Sequence, residues 1–583
     1  MGAFGSTLIA PPSMAFRFAL LADRLQKDPF KRIRGSPGAQ RVEAYCYKVT
    51  AIWCVFFILN GSAALYTIVW ASESAWALYN GGISYVFMGT LFAVEWIVRK
   101  MMIRRMPKAA PLSRLSADLR PQDAVVCFSG SYGGGTVRTW ADFLAGSAAL
   151  RRHISAETAE RWILHCNDYW YFLLAFTALL QCGKQVFLTA NIAPRYIAEI
   201  AGGQEDTAFL TDDAGAAGRS GTAALLEKSF YAPALAESGD TAAETALPPI
   251  NADETVIVMY TSGTTGRPKA VYQRLTEFEA DNAFILSKWG EEVFSRAVCS
   301  SVSPHHIYGL LFSVLLPFTA GVPFRRERIE FPETLETLRD SPYLFVTVPA
   351  FLKRCVESVN EAETARGFGL RSPWIFTSGG AVPFEVAKKT EALLGFWPLE
   401  VYGSTETSGI AWRQSVSGPE WTPFDNAKIR LNGEGCLVIQ SPYIKDPGGF
   451  TTGDLAEILD DGRFLLKGRA DSIVKIEEKR VSLPEVEARL VQSDLVSDAA
   501  VTAIQGKRQY LAAALVLNAA GAARFAGTEK RRVNQWFREY LGQFFEPTVI
   551  PKRWRYPDAL PRNPQGKIRQ EAIRALFADE PEQ

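Results

Sequence analysis

A chain of 583 residues is long enough for several domains, and at 48% hydrophobic and 21% charged it can bury large cores instead of staying disordered. Its 63 basic side chains offset 62 acidic ones, which leaves no positive excess of the kind that holds nucleic acid. Eight cysteines without a Cys-x-x-Cys pair, and only four histidines, argue against a zinc centre or a disulfide framework and for a reducing compartment.

Residues 1–108 predict a membrane hairpin. Val49–Ser72 and Ala75–Val94 carry no charged side chain, and each run reaches the roughly 20 residues that cross hydrocarbon as a helix. The expected spans are 49–70 and 76–98, with Trp53, Trp70, Trp76, Tyr79 and Trp96 as interfacial aromatics. Basic residues crowd both outer flanks, including Arg34, Arg41 and Lys48 before the first span and Arg99, Lys100, Arg104 and Arg105 after the second. Positive charge is retained inside, so both ends are expected in the cytoplasm of a bacterial-type inner membrane. A pair of buried core helices is the alternative.

From about residue 109 the pattern changes to strands alternating with helices, which implies a mostly parallel sheet. Asn167–Pro194 is expected to form a buried helix, a stop at Gly183 and a short strand; its apolar run is too short to span a bilayer. Two further helix–strand alternations are "YLFVTVPAFLKRCVESV" and "PWIFTSGGAVPFEVAKKTEALL". The segment 202–253 is rich in small and polar residues and is expected as a surface excursion with some helix. Beyond Thr452, short strands with charged turns and a helix-like "LPEVEARLVQ" suggest a small α+β domain.

Directly after the apolar strand "ETVIVMY" lies "TSGTTGRPK", Thr261–Lys269. Two residues separate Gly263 from Gly266, and Arg267 and Pro268 precede Lys269, so this is not a Walker loop. Small residues that let backbone amides approach oxygens, hydroxyl donors and one lysine still suit phosphate.

Five more segments follow in order: "TSGGAVP" (377–383), "VYGSTETS" (401–408), "TTGD" (451–454), "GRADSIVKIEEKRV" (468–481) and "NPQGKIR" (563–569). Together with Thr261–Lys269 they make the chain resemble the adenylate-forming superfamily of acyl-CoA synthetases, adenylation domains and luciferases, from roughly residue 110 to the end. The resemblance implies an α/β fold with a large two-sheet AMP-binding domain (109–468) and a small mobile α+β lid domain (469–583), preceded here by the two transmembrane helices. It implies a carboxylic acid activated by ATP as acyl-AMP, with release of pyrophosphate, then transferred to a thiol.

The same resemblance assigns roles to residues. Thr261, Ser262, Gly263, Thr264, Thr265, Gly266 and Lys269 are expected on the phosphates, and Gly379, Gly380 and Ala381 along the adenine. Tyr402 with Gly403 would stack on adenine, Asp454 would accept the ribose hydroxyls with Arg469 nearby, and Arg480 would join the nucleotide contacts. Thr405 is expected on phosphate, Glu406 and Thr264 on Mg²⁺, and Lys567 as a movable cation between carboxylate and phosphate. Asp471 is the implied hinge. "SPHHIYG" (303–309) resembles the segment beside the acyl pocket, which puts His306 at the acid.

The thiol is CoA or the phosphopantetheine of an acyl carrier protein. Glu478 stands where the family has a glycine that lets this arm pass, so the choice stays open. No aspartate that would pair a substrate ammonium is evident, which favours an acyl or aryl acid. The fused hairpin resembles ligases of bacterial aryl polyene pathways, which use acids such as hydroxybenzoates. A fatty or 3-hydroxyacyl ligase, and a non-catalytic adenylate-binding membrane scaffold, are the alternatives.

Overall fold

The computed structural model describes residues 39–578 except 105–108, 132, 191, 203–205, 219–225, 227, 238–245, 263–267, 340–341, 360–366, 369–372, 445, 471–472, 477–478, 506–508, 546, 563–567 and 569. Two compact units divide the chain: 1–399 with 404–408, and 400–403 with 409–583. The domain boundary expected at 468/469 falls inside the second unit.

Within the first unit, Ala39–Trp70 is one helix, beginning ten residues before the first expected span. A short turn at Ser72 leads into Glu73–Leu78, a π-helical turn at Tyr79–Ile83 and the helix Ser84–Arg104. Two stretches, Tyr45–Trp70 and Glu73–Val98, are long and apolar enough to cross a membrane, and the apolar window of neither is buried inside the protein. The second is not the uniform helix the sequence suggests. At the π-turn Tyr79 and Ser84 each donate to Asn60 Oδ1 at 3.0 Å, and Asn80 Nδ2 donates to Thr67 Oγ1 at 3.2 Å. These polar pairs, with Trp53 and Phe92 rings 4.5 Å apart, tie the helices to each other.

The rest of this unit holds two layered sheets. One is six-stranded, in the order 229–231, 207–211, 161–165, 185–188, 256–262 and 268–274. Its strands are parallel except for the last, which returns as a hairpin from Val256–Ser262. In the other, Trp374–Thr377, Tyr343–Thr347, Ala297–Ser300, Phe324–Arg325 and Val125–Phe128 run parallel, and Val137–Thr139 closes the edge antiparallel.

Local chemistry sets the helix ends. Asp168 caps Tyr169–Gln181 by accepting from the Trp170 amide, and Gly183, at φ 68, stops the chain after Cys182. That helix is buried from Tyr169 to Leu180 except at Tyr171, as its length predicted; each buried Phe or Leu contributes roughly 1.5–3 kcal/mol. The 202–253 segment corrects the expectation of a surface excursion. Thr207–Thr211 is a fully buried strand and Ser229–Tyr231 pairs beside it. Five residues of "TAFLT" are too few to reveal a two-sided strand against so polar a background.

The second unit contains an antiparallel four-stranded sheet, in the order 428–431, 436–440, 450–458 and 464–469. After it come a two-stranded hairpin, Ile473–Ile476 with Lys479–Ser482, and a three-stranded sheet of Val496–Gln505, Gln509–Leu517 and Arg553–Arg555. The expected helix is present at Leu483–Val491. With Lys530–Leu541 it closes a core around Val486, Leu490, Phe537 and Trp554.

Candidate active site

The 256–274 hairpin builds one side of the site. Thr261 pairs with Lys269 and Ser262 with Pro268 in the last two rungs of the ladder. Lys269, more than half exposed, places Nζ 2.6 Å from Glu406 Oε1. Burial would raise the Glu406 carboxyl, but the hydrogen bond and charge of Lys269 outweigh it and hold the group below the usual carboxylate range. A half-exposed pair of this kind contributes about 1 kcal/mol or less, so phosphate oxygens and a cation can replace the partners at little cost.

Glu406 sits in the short loop 404–408, which is tied at several points. Ser404 N donates to Thr407 Oγ1 at 3.1 Å, and Thr407 N to Ser404 Oγ at 3.3 Å. Gln273 Nε2, from the hairpin's second strand, donates to the Thr405 carbonyl at 2.7 Å. Ser408 donates its hydroxyl to the Asp281 carboxylate. Thr405 and Glu406 are thereby held half-buried between anchored neighbours.

Strand Trp374–Thr377 ends in the turn carrying Gly379, Gly380 and Ala381, all exposed. Gly379 has φ 87, a conformation that a side chain disfavours. In "SPHHIYG" the backbone doubles back so tightly that a Cβ on Gly309 would lie 1.9 Å from the Ser303 carbonyl oxygen. His306 is half-buried there. Its neighbour His305 is fully buried and stacks on His165, with centroids 4.1 Å apart and planes 4° from parallel. Ser303 Oγ lies 2.7 Å from His305 Nδ1, and His165 Nδ1 donates to the Thr189 carbonyl at 2.9 Å. Burial holds both imidazoles below their ordinary range, so they are neutral at pH 7.

In the second unit Tyr402 donates its hydroxyl to Asp454 Oδ2 at 2.5 Å, and Arg469 Nη1 lies 3.6 Å from Asp454 Oδ1. Burial and then the Asp454 charge push the Tyr402 phenol far up, so it stays a donor. Its ring is set against Trp421 and Phe464. Arg413 braces this cluster by gripping Glu400 with two 2.9 Å bonds while covering the Trp421 ring. A carboxylate has about four acceptor positions, so Asp454 keeps capacity for two hydroxyls beside these partners. Gly403 is exposed on the same strand.

Gly263, Thr264, Thr265, Gly266, Asp471, Glu478 and Lys567 lie outside the described residues, as do the side chains of Thr261, Ser262 and Arg480. Among the described residues no three His, Cys, Asp or Glu side chains converge on a metal. The Glu406 carboxylate, held against Lys269, fits a magnesium site, since Mg²⁺ binds through one or two carboxylates plus substrate phosphates. Reading the sequence missed Gln273, Asp281, Ser408, His165 and His305. Only the adjacent histidines of "HH" offered a signal, and it pointed to His306.

A family model described as AMP-binding enzyme matches residues 115–457. A malonate–CoA ligase of Arabidopsis thaliana is 24% identical over 371 residues, covering 55% of this chain and 60% of that one. A p-hydroxybenzoic acid–AMP ligase of Mycobacterium tuberculosis is 27% identical over 400 residues, covering 62% and 55%. The chain thus spans about three-fifths of the length of these relatives. An O-succinylbenzoate coenzyme A synthetase from Bacillus subtilis, in complex with ATP and magnesium ion, has the same fold with TM-score 0.62 at 18% identity, covering 78% of this chain and 97% of that one.

Proposed function

Because the chain belongs to the AMP-binding enzyme family, we propose that it is an acid–thiol ligase. It joins a carboxylic acid to the α-phosphorus of ATP, releasing pyrophosphate, and passes the acyl group to a thiol. The observation that carries this reading is the Lys269–Glu406 pair, a lysine and a magnesium-type carboxylate 2.6 Å apart beside the strand pair that bears the phosphate loop.

Each half-reaction asks something of the chain. Two anions must meet in the first, so the site supplies oriented donors and positive charge. Lys269 and the loop amides hold the departing phosphates, and Thr405 donates its hydroxyl. Glu406 and Thr264 would hold Mg²⁺, whose chemistry there is to neutralise phosphate charge. Asp454 receives the ribose, Tyr402 lies along adenine, and Lys567 bridges acid and phosphate. His306 faces the acid, with the neutral His165–His305 stack fixing the turn that carries it. In the second half, rotation about Asp471 withdraws Lys567 and brings 471–480 to the thiol of CoA or of a carrier-protein phosphopantetheine.

An aryl acid such as a hydroxybenzoate is the proposed substrate, supported by the p-hydroxybenzoic acid–AMP ligase among the relatives and by the likeness of the fused hairpin to aryl polyene ligases. ATP-dependent pyrophosphate exchange with a panel of acids tests it. Exchange with aryl acids is the expected result. Exchange confined to long-chain or 3-hydroxyacyl acids would replace the substrate, and ATP binding without exchange for any acid would leave a scaffold.

The hairpin is proposed to anchor the protein in the cytoplasmic membrane with the ligase domains in the cytoplasm. Its outward side chains, among them Leu59 at 64% exposure and Val86 at 66%, are largely uncovered, which supports placing them in hydrocarbon. High-salt washing of isolated membranes is expected to leave the protein in the pellet, whereas one adsorbed by charge alone would be released.

A further inference from the structure

We propose that Asp281 and Ser408 are positioning residues that hold the 404–407 loop, and through it the Glu406 carboxylate, in register with Lys269. The role assumes the adenylate-forming reading above.

Three observations converge on it. Among the described residues only Ser408 and Asp494 have positive φ without being glycine, at 56° and 60°. Asp494 is exposed at the end of a helix; Ser408 is buried beside the site. An L-residue in this region is strained and persists only where its surroundings over-determine it. Here the determinant is Asp281, itself only 6% exposed, whose carboxylate accepts the Ser408 hydroxyl. A buried carboxylate is an expensive way to hold a loop, since an apolar contact would anchor it as well. It is suited to fixing direction.

The geometry gives that direction a purpose. Gln273 grips the carbonyl of Thr405, just before Glu406, and Asp281 grips Ser408, two residues after it. Both partners come from one continuous piece of chain, the strand Pro268–Arg274 and the helix Leu275–Phe294, and this piece also carries Lys269. The lysine and the carboxylate are therefore referenced to the same rigid frame. If Ser408 returned to an ordinary φ, the chain entering Ser408–Arg413 would leave in another direction and Glu406 would swing off the lysine.

The test compares full-length wild type with Asp281→Ala, Asp281→Asn and Ser408→Gly. Three quantities are measured: pyrophosphate exchange, the Mg²⁺ concentration for half-saturation, and calorimetric affinity for ATP with and without Mg²⁺. Asp281→Ala is expected to lower exchange kcat about 10- to 100-fold, as small misplacements at a reacting centre do. It should also raise the Mg²⁺ requirement while leaving the KM of the acid within about twofold. Asp281→Asn keeps an oxygen acceptor and should recover most of the loss. Ser408→Gly tolerates the left-handed φ but lacks the hydroxyl, so it should fall in the same direction by less.

Wild-type kcat and Mg²⁺ dependence in both Asp281→Ala and Ser408→Gly would overturn the proposal. So would a loss in which the KM of the acid rises equally, the mark of general loosening. Should Asp281→Ala fail to fold, Ser408→Gly decides alone. If wild type exchanges with no acid, the ligase reading falls instead. The proposal then stands or falls on whether the variants lose the Mg²⁺-dependent part of their ATP affinity.

Discussion

Lys567→Ala is expected to reduce acid-dependent pyrophosphate exchange by about 10²–10³-fold, or roughly 3–4 kcal/mol, the usual cost of losing one oriented donor at a developing charge. Thioester formation from supplied acyl-adenylate should continue, because the proposed mechanism runs that half-reaction without the lysine. The base of its loop is held in place. Arg562 pairs with Ile568 across it, Arg562 Nη2 lies 2.6 Å from Asp498, and Gln570 donates to the Val501 carbonyl. Alanine at 567 should therefore remove the cation without unfolding the second unit, and circular dichroism would verify that. Exchange retained above a tenth of wild type would refute the assigned role, and loss of both half-reactions would refute the division of labour between them.

Glu406→Gln should cost nearly as much, about 100-fold in exchange, with at least a tenfold higher Mg²⁺ half-saturation, because an amide is a poor ligand for a hard cation. Stability separates this from a structural effect. Lys269 is 58% and Glu406 24% exposed, so their pair contributes about 1 kcal/mol or less to folding. A thermal midpoint within a few degrees of wild type is expected beside the large kinetic loss. A variant that loses stability and activity in proportion would mean that Glu406 serves the loop and not the metal.

Both predictions concern residues that the sequence marks only through motifs resembling a known family, whereas the strands that carry such motifs are legible for local reasons. The strand ending at Ser262, the return at Pro268, and the strand at Phe450–Ile458 carrying Asp454 each obey short-range rules, with apolar runs broken by small and polar turn residues. The uncharged runs near the N-terminus were legible for the same reason. Their limits were less so: the first helix starts at Ala39, in a polar stretch that charge counting excludes, and the π-turn at Tyr79–Ile83 depends on Asn60, 19 residues away. Thr207–Thr211 was missed because its five residues become a core strand only when strands 161–165 and 229–231 flank it.

By itself, then, the amino-acid order determined which chemical groups are present, their sequence along the chain, and the alternation that makes an α/β fold. The tertiary structure alone decided that Asp281 meets Ser408, 127 positions away, and that His305 rather than His306 is the buried member of its pair, stacked on His165. Such pairings follow from sheet register and helix packing, which bring together residues with no periodic relation. A buried acid and a surface acid look alike until the chain around them has closed.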